Sequence, residues 1–124
     1  MLGIGTDIVQ IVRIEAVIER QGMRFVQRIL TPVEVQEYDN SRLGVRLLAK
    51  RFAAKEAIVK ALGTGIGHGV GWQDMTIEHD DKGAPLVGLC GGAEQRAKQL
   101  GGSRMLLSLA DESDYVVAFA VLVP

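Results

Sequence analysis

The spacing of apolar residues along the chain changes several times, and each change marks an element. In "LGIGTDIV", residues 2–9, the positions alternate. Leu2, Ile4, Thr6 and Ile8 share one face, and Gly3, Gly5, Asp7 and Val9 share the other, which predicts a strand. Over residues 10–20 the spacing becomes helical, with Ile11, Ile14, Val17 and Ile18 on one face, until Gly22 interrupts it. Phe25, Val26, Ile29 and Leu30 predict a short second helix. "TPVE" at 31–34 is a helix start, with Thr31 as N-cap, Pro32 at the first position and Glu34 closing a capping box. A loop near 40–44 then leads into a long helix over roughly residues 45–62.

The second half is richer in turns. "GTGIGHGVG", residues 63–71, holds five glycines in nine positions and predicts a loop. "WQDMTIEHDDKGAPLVGLCG" predicts a hairpin that turns at "DDKG". "GAEQRAKQLGG" predicts a short helix with a glycine stop. The last segment predicts a second hairpin turning at residues 110–114, with Leu107 and Leu109 before it and Tyr115, Val117, Phe119, Val121 and Val123 alternating after it. The order of elements predicts an α+β fold: about five strands, mostly antiparallel, with helices packed on one side.

The long helix breaks the usual pattern. With each residue turning about 100°, Leu48, Phe52, Ile58, Val59 and Leu62 form an apolar arc, and Ala49, Ala53, Ala54, Ala57 and Ala61 fill most of the remainder. Almost no polar face is left, which predicts a helix enclosed on several sides. Yet "RFAAKEAIVK" carries Arg51, Lys55, Glu56 and Lys60. Arg51 and Lys55 fall inside the apolar arc one turn apart, and Glu56 and Lys60 form a second pair one turn apart. An ordinary i,i+4 ion pair contributes only a few tenths of a kcal/mol. Charges in so apolar a setting need partners or ligands.

Asp7 raises the same question. It shares a strand face with two glycines, so its carboxylate is sterically open, and the apolar residues after it place it within or at the end of a core strand. A cap or turn acid is the ordinary reading. The alternative is that Asp7 and Glu56 share a hard divalent ion such as magnesium, which takes one or two carboxylates and completes its shell with water and phosphate oxygens. Lys60 and the Gly63–Thr64–Gly65 backbone would then face those phosphates. The glycine loop matches neither standard phosphate-binding fingerprint, and it follows a helix instead of preceding one.

Composition narrows the classes. The chain of 124 residues is read as one domain, residues 1–124. One cysteine, Cys90, excludes an internal disulfide and a four-cysteine zinc site. Aromatic residues are only 5%, and the net charge is −1, which argues against nucleic-acid binding. No basic leader and no apolar run of about 18 residues is present, so the expectation is a cytoplasmic protein with no membrane span. The charge is uneven: residues 1–60 carry +3 and residues 61–124 carry −4. Arg13, Arg20, Arg24, Arg28, Arg42, Arg46, Lys50 and Arg51 make the basic part either a set of solvated helix faces or a docking face for an acidic partner.

Two of these stretches carry a family signature. "GIGTDIVQIVRIE" followed by "RFAAKEAIVKALGTGI" resembles the holo-acyl-carrier-protein synthases of the phosphopantetheinyl transferase superfamily. "ILTPVE", "HDDKGAP" and "LSLADESDYVVAFAVL" extend the resemblance over the whole length. The resemblance implies magnesium-dependent transfer of 4′-phosphopantetheine from coenzyme A to a serine of apo-acyl carrier protein. Adenosine 3′,5′-bisphosphate is released, in support of fatty acid biosynthesis. It implies homotrimers with active sites at subunit interfaces. Residue by residue, Asp7 and Glu56 match the metal ligands, and Lys60 matches a lysine on the coenzyme A phosphates, so these three are the candidate catalytic residues. Gly63, Thr64 and Gly65 match the lining of the coenzyme A cleft, with Arg51 as a further coenzyme A residue. Arg13 and Arg20 match arginines that meet the carrier protein.

Many members have Ser-His at the end of the penultimate strand, where this chain has Ala110-Asp111. The serine nucleophile needs a base, for which Glu56 or a metal-bound water is a better candidate than Asp111. Taken without the resemblance, the same residues also fit another magnesium-dependent phosphate-transfer enzyme. They fit a trimeric scaffold as well, in which Glu56–Lys60 is a structural pair and Asp7 a cap. His68 and His79 are read as solvated or structural.

Overall fold

The computed structural model describes residues 1–124. The elements in chain order are β1 (Gly3–Gln10), α1 (Ile11–Gln21), α2 (Met23–Ile29), α3 (Pro32–Asp39) and α4 (Gly44–Leu62). After a one-turn 3₁₀ helix (Trp72–Asp74) come β2 (Met75–His79), β3 (Pro85–Leu89), α5 (Gly91–Gln99), β4 (Arg104–Asp111) and β5 (Tyr115–Val123). Every element predicted from periodicity is present, and the long helix begins within a residue of its predicted start. The strands form a three-stranded sheet in the order β1-β5-β4 and a two-stranded sheet of β2 and β3, and all pairings are antiparallel. No helix is long and apolar enough to cross a membrane.

α4 lies across the inner face of the larger sheet and is the centre of the core. Its Leu48, Ala49, Ala53, Ala54, Ala57, Ile58, Val59, Ala61 and Leu62 are all buried. The contact with β1 is made backbone to backbone. A Cβ on Gly5 would collide with the Ala57 carbonyl and lie 2.7 Å from the Ala61 nitrogen, and one on Gly3 would run into the Ala61 carbonyl. The inner face of β5 is correspondingly slim: Val116, Ala118, Ala120 and Leu122 are fully buried. The alternation seen in the sequence is real, but the bulkier set points away from the helices. Ile4, Ile8, Tyr115, Val117 and Phe119 remain exposed on the outer face, Ile8 to 65%.

A second structural element is a buried charge network under α3. Glu34 is wholly enclosed. One of its oxygens accepts from the Thr31 N–H (2.9 Å), the Thr31 hydroxyl (3.2 Å) and Lys55 Nζ (2.7 Å), and the other accepts from the Ile77 N–H (2.9 Å). The residue read as a helix cap thus also joins α3 to α4 and β2. Beside it Phe52 stacks on Trp72 at 5.2 Å and meets Phe25 at 6.3 Å, closing the junction of α2, α4 and the 3₁₀ turn.

The glycine contact yields a direct test. Gly5→Ala must push α4 off β1, and overpacking of this kind costs about 1–3 kcal/mol. Urea unfolding should show that loss, whereas Gly65→Ala, which meets no atom within 4 Å, should be limited to the strain of a positive φ.

Candidate functional site

The four charges of α4 separate into two groups with different surroundings. Lys55 is fully buried and donates to Ile29 O (2.7 Å), Glu34 Oε1 (2.7 Å) and Trp72 O (3.3 Å). Burial pushes its ammonium below the usual lysine range, and the adjacent Glu34 carboxylate opposes that shift. Arg51 is 2% exposed and forks onto Glu37 at 3.0 and 3.2 Å, with its Nε 3.5 Å from Glu34. This pair holds the fold together. Arg51 is therefore not gathered with Asp7, Glu56 and Lys60, and any phosphate that used it would compete with two carboxylates.

Glu56 and Lys60 face β1 instead. Lys60 Nζ donates to Asp7 Oδ1 (3.0 Å) and to the Thr6 carbonyl (2.9 Å). The i,i+4 pair between Glu56 and Lys60 does not form, because the ammonium goes to the strand. Asp7 is mostly enclosed, with 16% of its side chain exposed, while Lys60 is half-exposed. Glu56 is half-buried, and its carboxyl is pushed above the ordinary glutamate value, first by burial and then by the Asp7 charge; Lys60 offsets part of this. Two carboxylates and one movable ammonium therefore share a small volume between β1 and α4. Strand alternation and helical spacing bring them together: Asp7 lies two residues beyond Gly5 on the same strand face, and Glu56 and Lys60 lie on the helix face that Gly5 admits.

Asp7 and Glu56 line a cavity of about 460 Å³ that also takes in Gln10, Arg13, Ile14, Val17, Phe25 and Phe52. One wall is α1 and the other is α4, so the carboxylates and Arg13 open onto one space. Its apolar lining includes Ile14 and Val17, which the sequence pattern places on the apolar stripe of α1 without indicating a cavity. Arg13, Arg20, Arg24 and Arg28 are exposed on α1 and α2, and none forms an ion pair.

The glycine loop begins as a helix stop. Gly63 takes φ 76°, a left-handed conformation that closes α4. The Gly63 N–H donates to Lys60 O, and the N–H groups of Thr64 and Gly65 both donate to Val59 O. These three amides, read from the sequence as facing phosphate, are thus directed to helix carbonyls. Within the loop the Thr64 hydroxyl donates to Gly65 O at 2.9 Å. Asp111 lies outside this cluster, held by Arg46 (2.8 Å) and Lys50 (3.5 Å). His68 and His79 are both exposed, and His79 lines a small cleft with Glu37, Lys50 and Arg51.

The fold and sequence have close counterparts. The family model described as "4'-phosphopantetheinyl transferase superfamily" matches residues 3–120. The holo-[acyl-carrier-protein] synthase of Shewanella amazonensis is 53% identical over 122 residues, covering 98% of each chain. The crystal structure of holo-[acyl-carrier-protein] synthase from Neisseria meningitidis superposes with a TM-score of 0.92 at 44% identity, over 100% of this chain and 99% of that one. The Helicobacter pylori holo-[acyl-carrier-protein] synthase, in complex with coenzyme A, gives a TM-score of 0.84 at 32% identity, covering 97% and 99%.

The Glu56 carboxyl provides a pH test. Its folded proton affinity exceeds that of the unfolded chain, so its contribution to stability is present below the ordinary glutamate value near 4.5 and is lost as pH rises through its folded titration. Glu56→Gln keeps the shape without the charge. In the absence of divalent ions, its stability relative to wild type should increase as urea unfolding is followed upward from pH 4.5.

Proposed function

The chain belongs to the 4′-phosphopantetheinyl transferase superfamily, in the holo-[acyl-carrier-protein] synthase family, and we propose that it uses the Asp7–Glu56–Lys60 cluster for magnesium-dependent transfer of 4′-phosphopantetheine from coenzyme A to a serine of apo-acyl carrier protein. The observation that carries this reading is the meeting of two carboxylates at a cavity that Arg13 also lines, with the Lys60 ammonium held on Asp7 beside it. The donor set suits magnesium: both candidate ligands are carboxylates, and the remaining positions are left to water and phosphate. Asp7 and Glu56 would hold the ion, which when bound supplies charge neutralisation at the pyrophosphate.

The chain's own groups have the following work. Lys60, half-exposed on a flexible stem, can turn from Asp7 to a phosphate oxygen and add positive charge there. Gly63, Thr64 and Gly65 line the approach for coenzyme A. In the reaction the serine Oγ–phosphorus bond forms as the β-phosphorus–bridging oxygen bond breaks, leaving adenosine 3′,5′-bisphosphate. Glu56, or a water on the ion, would receive the serine proton. Asp111 has both oxygens facing cations. Arg13 and Arg20, exposed along α1, would steer and seat the acidic carrier. Arg51 is a coenzyme A contact only if a phosphate displaces Glu37.

We further propose a homotrimer, whose subunits cover the outer sheet face of Ile4, Ile8, Tyr115, Val117 and Phe119 and form the active sites between them. A monomer seldom leaves so continuous an apolar face in water. The proposed place of work is the cytoplasm, in fatty acid biosynthesis.

Intact-mass spectrometry of apo-acyl carrier protein incubated with coenzyme A, magnesium and this chain tests the reading. The expected result is a gain of one phosphopantetheine that chelator abolishes and that Asp7→Ala and Glu56→Ala each lose while remaining folded. Near-normal transfer by either variant would remove the proposed metal site. Light scattering should give three times the 13.4 kDa of one chain, and a monomer mass would remove the trimer.

A further inference from the structure

The β4–β5 turn is fastened to two helices at once. Arg46, in the first turn of α4, donates to Asp111 Oδ2 (2.8 Å), the Glu112 carbonyl (2.7 Å) and the Ser113 carbonyl (3.0 Å). Lys50, one turn along, lies 3.5 Å from the other Asp111 oxygen. The turn itself is short, closed by Glu112 N–H donating to Tyr115 O at 3.0 Å. Its last residue then reaches the opposite helix: Asp114 O accepts the Ile11 N–H at 2.9 Å. Ile11 is the first residue of α1, and no side chain caps that helix, since Gln10 makes no capping bond. The preceding residue, Gln10, pairs with Tyr115 at the end of the strand ladder. The start of α1 is therefore set by the turn, and the turn is set by Arg46.

From this geometry we infer that Arg46 is a positioning residue for α1: it holds the β4–β5 turn, and through it the Ile11 end of the helix that presents Arg13 to the cavity. The inference rests on the proposed transfer reaction for its kinetic readout. A single exposed ion pair would contribute little. A guanidinium fork meeting one carboxylate and two carbonyls fixes direction as well as distance, which a lysine cannot do. Arg46 and Glu56 share one helix, so the same rigid element that carries the carboxylate also registers α1 against it. Asp111 is assigned the same purpose. With a cation on each oxygen it anchors the turn.

The test uses the full chain with Arg46→Ala and the milder Arg46→Lys. Hydrogen exchange at the Ile11 amide should speed up in both, more in Arg46→Ala. The KM for carrier protein should rise several-fold, while the KM for coenzyme A and kcat stay within about twofold of wild type. A raised KM for coenzyme A with an unchanged KM for carrier would overturn the inference, because Arg46 would then be a ligand contact. Unchanged Ile11 exchange in Arg46→Ala would overturn it too, as would loss of kcat in Asp111→Asn. If the wild-type chain transfers no phosphopantetheine, the transfer reading fails by itself, and Ile11 exchange still decides whether Arg46 holds α1.

Discussion

How closely α4 can approach β1 governs everything else in this molecule. Gly3 and Gly5 leave no side chain between the strand and the Ala57 and Ala61 backbone. At that separation, Asp7 on the strand and Glu56 and Lys60 on the helix occupy one volume, and Lys60 reaches both the Asp7 carboxylate and the Thr6 carbonyl. A side chain at either glycine would widen the gap and move the two carboxylates apart. The candidate cluster is thus a consequence of packing, with glycine and alanine as the residues that permit it.

The helix supplies both structure and chemistry by giving its charges different partners. Lys55 and Arg51 point into the α3 side, where Glu34 and Glu37 answer them and backbone groups complete the bonding of Lys55 and Glu34. Removing one member of such a buried set leaves an uncompensated charge, so these residues belong to the fold. Glu56 has only the partial compensation of the Lys60 charge. Its charged form is disfavoured by burial and by Asp7. Groups perturbed in this way cluster at functional sites.

Much of this was legible because it is periodic. The strand alternation put Gly5 and Asp7 on one face, and the helical spacing separated Arg51–Lys55 from Glu56–Lys60. The motifs around Asp7 and Glu56 gave the family, and the comparisons agree. Three features were not legible. The Glu34 side chain reads locally as a cap, and its bonds to Lys55 and Ile77 span 21 and 43 residues. The amides of Gly63, Thr64 and Gly65 are claimed by Val59 and Lys60 carbonyls, a matter of how the helix ends and not of composition. The tie from Arg46 to the β4–β5 turn joins residues 65 to 67 apart, and no spacing rule predicts it.

Which strand face turns inward was also beyond the pattern, and the reason connects the site to assembly. Alternation in β5 gives two apolar faces, Val116, Ala118, Ala120 and Leu122 against Tyr115, Val117, Phe119, Val121 and Val123. Burial of the larger side chains would ordinarily win, since hydrophobic gain scales with area. Here the helix lies too near the sheet for them, so the slim set goes inside and the bulky set faces out. The contact that joins Asp7 to Glu56 therefore exposes apolar area on the far side of the same sheet. That area is the face the proposed trimer covers. On this argument, the proposed catalytic cluster and the proposed subunit interface are two results of one strand–helix distance, and neither could be redesigned without disturbing the other.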